Sequence, residues 1–561
     1  MTGATGRSTT QQGEVVEPSA WSPLAEPIFR SLWIASFASY IGTWIQDVAS
    51  GWLMTSLSPS PLMVALVQAA TTLPIFLLSL PAGALADVLD RRRLLIVTQI
   101  WMLLACALLA VLTRLELTGP WTLLALTFVI GIGAALNAPA WQAIFPELVP
   151  RGQLGPALAL NGIGINLSRA IGPALGGLVV AAAGTWAAFL LNAVSFVGVV
   201  LVLHGWKRAP RRSALPAERL VGAMRAGLRY VRHAPELRAV MVRAGAFILF
   251  GSALWALLPV VGRFELGLGP TRYGLLLTAF GAGAVGGALL LPRLRRALGE
   301  NALILGSTLL FAVVLSALGR VTSFPAALGA LLLGGGLWIA LLTAFNTSAQ
   351  ATLPAWVRGR ALAIYILVFF GGMAGGSALW GAVATRFGVR QSLTAAALGL
   401  VISLAATARH RLPAGEGPDV APSRHWPAAA TDLEAIDHER GPVLVTVDYR
   451  IDTANATSFA EAMRAVRRIR LRDGAIRWDL FNDLENETRF IESFIVESWV
   501  EHLRQHERLT VADRAVEEQA RRYHLGSAGP VVTHFIAMEL PAPRTVRLEA
   551  RESTVTLRRP R

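Results

Sequence analysis

Two ionisable residues lie inside stretches too apolar to hydrate them. Asp47 ends Tyr40-Ile-Gly-Thr-Trp-Ile-Gln-Asp47, deep in an apolar run that begins near Ser31, and Arg169 lies midway along another that begins near Pro156. A carboxylate in a low-dielectric interior can take up and release a proton as its surroundings change, and a buried cation faces a partner or a wet cavity. The expectation is a functional pair in which protonation of Asp47 releases Arg169. A fixed structural ion pair, or an Asp47 solvated near one surface, are the other readings. Gln46, Asn137, Gln142, Asn161, Asn166, Asn346 and Gln350 add uncharged hydrogen-bonding groups within apolar runs. Asn346 and Gln350 stand one helical turn apart and share a face. All seven are candidates to line a cavity, or else tie helices together. Cys106 is the one cysteine and lies in an apolar run, so no intrachain disulfide can form.

The elements that must hold these residues are membrane spans. Of 561 residues, 54% are hydrophobic and 16% charged, and the mean hydropathy is +0.51, which excludes a soluble protein of this length. A bilayer core needs about 20 apolar residues per helix. Twelve such runs begin near Ser31, Leu62, Leu94, Trp121, Pro156, Thr185, Ala239, Thr271, Ala302, Pro325, Ala361 and Gln391. The net charge of +15 forms no continuous basic stripe and so does not indicate nucleic acid. Its arginines fall on alternate loops, at Arg91-Arg92-Arg93, Arg151, 207–238, Arg293 with Arg295-Arg296, and Arg358 with Arg360. Basic residues near span ends stay on the cytoplasmic side, so these loops and both termini are expected there. Trp52, Trp121, Trp186, Trp206 and Trp356 at span ends read as interfacial anchors.

The boundaries follow: a disordered cytoplasmic tail (1–28), a six-helix bundle (29–205), a basic amphipathic linker on the inner leaflet (206–238), a second six-helix bundle (239–408), a Pro-, Ala- and Gly-rich linker (409–440), a soluble α+β domain (441–541) and a basic tail (542–561). The bundles repeat one another. Asn137-Ala-Pro-Ala-Trp-Gln142, Arg151 and Gly172-Pro173-Ala-Leu-Gly176-Gly177 are matched in order by Asn346-Thr-Ser-Ala-Gln350, Arg358 and Gly376-Ser-Ala-Leu-Trp-Gly381. Six spans in each half make the repeats parallel, with a substrate path between them.

After the second span the chain reads Gly83-Ala-Leu-Ala-Asp87-Val-Leu-Asp-Arg91-Arg92. This is similar to the loop signature of the major facilitator superfamily, Gly-x-x-x-Asp-(Arg/Lys)-x-Gly-Arg-(Arg/Lys), with Val88 and Asp90 replacing the basic residue and the second glycine. The resemblance covers about 29–408 and looks closest to the enterobactin-exporter-like and macrolide-efflux-like branch. Gly172, Pro173, Gly176 and Gly177 resemble the end of that family's span-five antiporter motif, although Ser168 replaces an expected glycine. These residues, with Gly376 and Gly381, are candidates for a helix interface that swivels or simply packs closely. The resemblance implies a cytoplasmic gating latch at Gly83, Asp87, Arg91, Arg92, Glu147 and Arg151, with solvated loop charges as the other reading, and proton-coupled export of a small amphipathic molecule from the cell (inner or plasma) membrane. A transport-related ligand sensor and a membrane-tethered enzyme are the other classes.

In the soluble domain the order strand, helix, strand, strand, helix, strand predicts a ferredoxin-like unit. Glu487 to Glu497, followed by Trp499 and His506, resembles the antibiotic-biosynthesis-monooxygenase-like dimeric barrel. That resemblance makes His506 a ligand candidate, though a surface or dimer-interface histidine is the preferred reading. It also implies self-association more than oxidation. His502 and His506 are one turn apart with no third ligand suggested, so no metal site, cofactor or catalytic residue is expected.

Overall fold

The computed structural model describes residues 19–206, 220–410, 419–423 and 440–538, with backbone alone at 84, 87, 88, 220–224 and 226. Two compact units divide at Ala421/Pro422.

In the first unit, one half consists of α1 (Pro27–Leu57), α2 (Pro61–Val88), α3 (Arg91–Arg114), α4 (Pro120–Leu148), α5 (Leu154–Ala183) and α6 (Thr185–Gly205). After α7 (Leu220–His233), the other half consists of α8 (Pro235–Val260), α9 (Pro270–Leu298), α10 (Glu300–Leu318), α11 (Phe324–Ala351), α12 (Arg358–Phe387) and α13 (Val389–Ala406). Among the described residues, eleven helices are long and apolar enough to cross a membrane. Helix α1 has the length, at 31 residues, but is made more polar by Arg30, Gln46, Asp47 and its many serines. Prolines open α1, α2, α4, α8, α9 and α11, where the missing N–H costs nothing. Gly184 (φ 87°) turns α5 into α6 and Gly388 (φ 91°) turns α12 into α13, equivalent corners of the two halves that require a left-handed residue.

The repeat is visible in the packing. Helix α1 packs on α5 and α6, α2 on α4, and α3 on α6; in the other half α8 packs on α12 and α13, α9 on α11, and α10 on α13. Between halves, α5 meets α9 and α2 meets α12.

Several expectations change. The stretch 1–28 is not wholly a disordered tail, because a 3-10 turn at Ser22–Ala25 leads into α1 at Pro27; residues 1–18 lie outside the described residues. Helix α7 packs against the second half through Tyr230 and Gly227, while Leu228 of its expected apolar face is exposed. The Tyr230 hydroxyl donates to the Thr352 carbonyl (3.2 Å) and its ring meets Trp356 edge-on, while a methyl at Gly227 would lie 3.1 Å from Arg360 Cβ. Trp52 is buried against Tyr273 (centroids 5.6 Å apart) and does not anchor at an interface.

The second unit begins at Pro422, ahead of the expected 441, since Pro422 bridges Thr510 and the Ser423 N–H donates to Leu509. Its elements are β1 (Val443–Arg450), α14 (Ala456–Asp473), β2 (Ala475–Asn482), β3 (Arg489–Val496), α15 (Trp499–Arg508), α16 (Val511–Arg521) and β4 (Val531–Ile536). The antiparallel sheet has the order β2-β3-β1-β4. Val443, Val445, Val447 and Tyr449 alternate inward on β1, as period-two patterning requires. The basic tail 542–561 lies outside the described residues.

Candidate functional site

A cavity of about 290 Å³ lies between the two halves of the first unit. From α1 come Trp44 and Asp47, from α2 Gln68 and Thr72, and from α5 Arg169. The second half contributes Trp255, Phe280, Trp338, Phe369 and Phe370, and no charged side chain. The walls therefore differ: one is polar and carries both charges, the other is aromatic. Trp255 packs on Phe280 (4.9 Å) and on Trp338 (5.9 Å), and Trp338 on Phe311 and Phe247 behind it, so the aromatic wall is backed by further rings.

Asp47 and Arg169 thus share one cavity, as their depth in the chain suggested, but they form no ion pair. Among the described residues neither has a charged or hydrogen-bonding side-chain partner. The Arg169 guanidinium lies over the Trp44 ring at 5.8 Å.

None of the seven uncharged candidates lines this cavity. Gln46 Oε1 accepts from Asn192 Nδ2 (2.6 Å) and Cys106 Sγ (2.9 Å), tying α1 to α6 and α3. Asn137 accepts from Thr98 and Gln99 (3.1 and 3.3 Å), and Asn161 from the Tyr40 hydroxyl (3.1 Å). Asn166 donates to the Gly162 carbonyl of its own helix, Gln350 donates to Asn346, and Gln142 is exposed. Sequence reasoning missed Gln68 and Thr72; a polar pair one turn apart in the apolar α2 was the available signal.

The glycines separate into two roles. Methyls added at Gly172 and Gly176 would meet α1 at Trp44 Cβ (2.5 Å) and Ile45 Cα (3.1 Å), and one at Gly376 would meet Leu249 and Ser252 of α8, so these pack helices within a half. Gly177 faces Gly274 and Pro270 of α9, with its neighbour Pro173 on the same seam, and Gly381 faces Ala65 and Leu62 of α2. These contacts close the seam between halves, at the end where α1 stops and α2 starts. There Arg263, in a π-helical turn (Val261–Glu265), donates to Ser56 (2.5 Å) and Thr55 (3.3 Å) and lies over Trp52 (5.1 Å). The Leu62 N–H donates to Thr385 across the same seam (3.0 Å). At the opposite, arginine-rich end, methyls at Gly83, Gly155, Gly162, Gly286 and Gly359 would meet nothing within 4 Å.

At that end Arg91 Nη1 donates to Glu147 Oε1 (3.0 Å) and the Ala143 carbonyl (3.1 Å), tying α3 to α4 within one half. Arg92 donates to the carbonyls of Leu203 and His204 (2.7 and 2.6 Å). Asp90, where the signature has glycine, caps α3 by accepting from the Arg93 N–H (2.8 Å). Arg151 is exposed, and the Asp87 side chain lies outside the described residues.

In the second unit, His502 lies between two further imidazoles: its Nε2 is 3.3 Å from His506 Nε2 and 3.0 Å from His534 Nε2. His534 comes from β4, which sequence spacing did not connect to α15. Among the described residues no group of three or more His, Cys, Asp or Glu is arranged to hold a metal ion. Burial, then the neighbouring His506 and His534, push His502 down to about 3. A histidine depressed in the folded state resists the proton that the unfolded chain accepts, so its stabilising contribution is complete above about pH 6.5 and is lost as pH falls towards the folded value. We expect His502→Gln to flatten the acid-side loss of this unit's stability, by up to about 1.4 kcal/mol per pH unit below 6.5. Hydrogen exchange of the β1 and β3 amides in the full chain, corrected for intrinsic rates, measures it; an unchanged pH profile in the variant refutes the assignment.

Beneath the helices, the fully buried Glu492 accepts from Arg470 Nε (2.9 Å), Trp478 Nε1 (2.9 Å) and the Tyr449 hydroxyl (3.2 Å), and Arg470 also pairs with Glu517. Burial alone would loosen the Arg470 proton, but the two carboxylates reverse that and raise it above the usual guanidinium range. Removing one partner strands a buried charge, so Glu492→Ala should cost this unit about 3–5 kcal/mol. The loss would be read as a lower melting temperature of the second unit in the full chain; no shift would show the network to be dispensable.

Residues 18–542 match the family described as Transmembrane secretion effector, MFS_3. The chain is 26% identical to the Staphyloferrin A transporter of Staphylococcus aureus (strain NCTC 8325 / PS 47), over 50% of this chain and 71% of that one. It is likewise 26% identical to the multidrug efflux pump Tap of Mycolicibacterium fortuitum (66% and 92% covered) and to the enterobactin exporter EntS of Escherichia coli O1:K1 / APEC (67% and 90%). The fold is shared with a bacterial homologue of the human lysosomal transporter Spinster (TM-score 0.56, 14% identity, 69% of this chain and 98% of that) and a bacterial homologue of ferroportin (0.52, 18%, 68% and 99%). The chain belongs to the Transmembrane secretion effector family of major facilitator transporters; it is a multi-pass membrane transporter and not an enzyme.

Proposed function

We propose that this protein is a proton-coupled exporter of a small amphipathic molecule, working by alternating access across the plasma membrane. The observation that carries the reading is the cavity between two repeated halves, with Asp47 and Arg169 on one wall and a seam of glycines closing one end. Twelve helices span the bilayer in this reading, α1 included, because a polar helix is tolerated where its polar face lines a cavity. The arginine-rich loops support a cytoplasmic position for both termini. The seam end is then extracytoplasmic, and the fold described is open inward. Export is supported by the names of the relatives, which include a multidrug pump and an enterobactin exporter. Asp47 is the proton-coupling carboxylate, Arg169 responds to its charge, and Arg91, Arg92, Glu147 and Asp87 belong to the inner gate. The second unit is a ferredoxin-like domain of the dimeric-barrel kind, its strand order that of a split β-α-β pair, and it serves self-association.

The test is substrate-dependent proton movement in proteoliposomes holding the full chain, screened against siderophores and lipophilic drugs. Movement of a compound against its gradient with opposed proton flux supports the reading. Transport with no proton flux would sink the coupling, and no movement of any compound would sink export.

A further inference from the structure

Two opposite charges share one wall of the cavity without touching. Asp47 projects from α1 and Arg169 from α5, and among the described residues neither has a hydrogen-bonding or ionic partner. The facing wall offers aromatic rings and no charge that could neutralise either one. Asp47 is exposed to the cavity and Arg169 partly so, and a ligand that displaces the cavity water between these low-dielectric walls must supply a counter-ion to each charge or leave it bare at a cost. A cationic ligand would satisfy Asp47 and leave Arg169 bare, and an anionic one would do the reverse. Only a molecule carrying both charges compensates the wall while keeping the filled cavity near neutral.

We propose that the cargo of this cavity is an amphipathic zwitterion, whose cationic group pairs with Asp47, whose anionic group pairs with Arg169, and whose flat apolar body lies on the Trp255, Phe280 and Trp338 wall. This deepens the exporter reading and rests on it. It also gives the coupling its sign. The cargo ammonium and the proton compete for the Asp47 carboxylate, so each lowers the affinity of the other, as exchange requires. Arg169 holds the anion in either state and sets selectivity without taking part in that exchange. The facing wall adds to its apolar rings the Tyr273 hydroxyl and the Trp255 indole N–H, the latter unpaired among the described residues, so the lipophilic body is read mainly by apolar contact and its shape loosely.

A matched series with one naphthyl body tests this: 3-(1-naphthyl)alanine as zwitterion, its methyl ester as cation, its N-acetyl derivative as anion, and the N-acetyl methyl ester as neutral molecule. Equilibrium dialysis against the purified full chain at pH 7.5 should show the zwitterion binding at least about tenfold more tightly than each of the other three. Asp47→Asn should erase its advantage over the anion, and Arg169→Gln its advantage over the cation, with Asp47→Glu and Arg169→Lys restoring part of each. If the ester or the N-acetyl acid binds as well as the zwitterion, or if no member binds, the inference is overturned by the wild-type ranking alone, whatever the variants do. Drug accumulation in cells expressing the chain separates the two readings. Lowered accumulation without a zwitterion advantage leaves export standing and removes this cargo class; no lowered accumulation removes export itself.

Discussion

Asp47→Asn is expected to abolish proton flux driven by cargo, reducing it to the level of protein-free vesicles, while the protein remains folded and inserted. Asparagine keeps the shape of the side chain and cannot titrate, so the change removes the proton site together with the counter-ion for a cationic cargo group and leaves the cavity's shape intact. Among the residues lining the cavity, Asp47 is the one carboxylate. Its neighbour Gln46, one position earlier, is engaged with Asn192 and Cys106 and cannot substitute for it. Coupled transport against a gradient should therefore fall by about a hundred-fold or more, since exchange without a competing site cannot draw on the proton gradient. Downhill cargo movement should persist at a higher cargo concentration, because the seam, Arg169 and the aromatic wall are untouched. Measuring both in the same vesicles separates lost coupling from lost folding. Proton flux surviving in Asp47→Asn would make Asp47 structural and place the coupling group elsewhere.

The contrast between Gln46 and Asp47 also explains which parts of this molecule its sequence discloses. Apolar runs of sufficient length mark helices because a bilayer accepts little else, and among the described residues long helices stand where such runs occur, eleven of them apolar enough to cross a membrane. Proline and glycine mark their ends for local steric reasons. The direction in which a given side chain points is a different matter. Successive residues on a helix are about 100° apart, and a helix in a bundle is surrounded by lipid, by other helices and by cavity, with no single wet face for polarity to report. Gln46 therefore turns into the α3 and α6 contact while Asp47 opens on the cavity, and nothing in the run itself distinguishes them. The same rotation separates Gly176, which packs on α1, from Gly177, which meets α9. Asn137 and Asn161 are polar residues in the expected spans, but they satisfy neighbouring helices, as buried polar groups must. Gln68 and Thr72 face the cavity from a largely apolar helix, and the one-turn spacing of this polar pair was the only sign of it. In the soluble unit, alternation on β1 located the core, whereas the meeting of His502 with His534 depended on strand pairing far along the chain.

The glycine seam leads to the second large effect. Gly177 and Gly274 face each other across the halves. A methyl on Gly274 would fall on the Pro173 carbonyl and lie 3.0 Å from Gly177 Cα, and one on Gly177 would lie 2.7 Å from the Pro270 carbonyl. Backbone cannot yield there as a long side chain could, so a larger residue must part α5 from α9. Overpacking a tight contact costs about 1–3 kcal/mol, and a bias of that size changes a two-state equilibrium roughly 5- to 150-fold. Arg263 holds the same end through Ser56, Thr55 and Trp52, and those contacts stretch as the seam opens. Gly274→Val should therefore populate a form open at the seam end and slow transport more than about tenfold. Gly162→Val, placed where a methyl meets nothing within 4 Å, should be nearly silent. Spin labels at Ser60 on one half and Arg386 on the other, in a background with Cys106 replaced by serine, report the distance across the seam. Lengthening in Gly274→Val and not in Gly162→Val is the expected outcome. If neither distance distribution moves while transport still fails, the glycines serve folding, and the closing of this end must depend on polar contacts such as those of Arg263 and of Leu62 with Thr385.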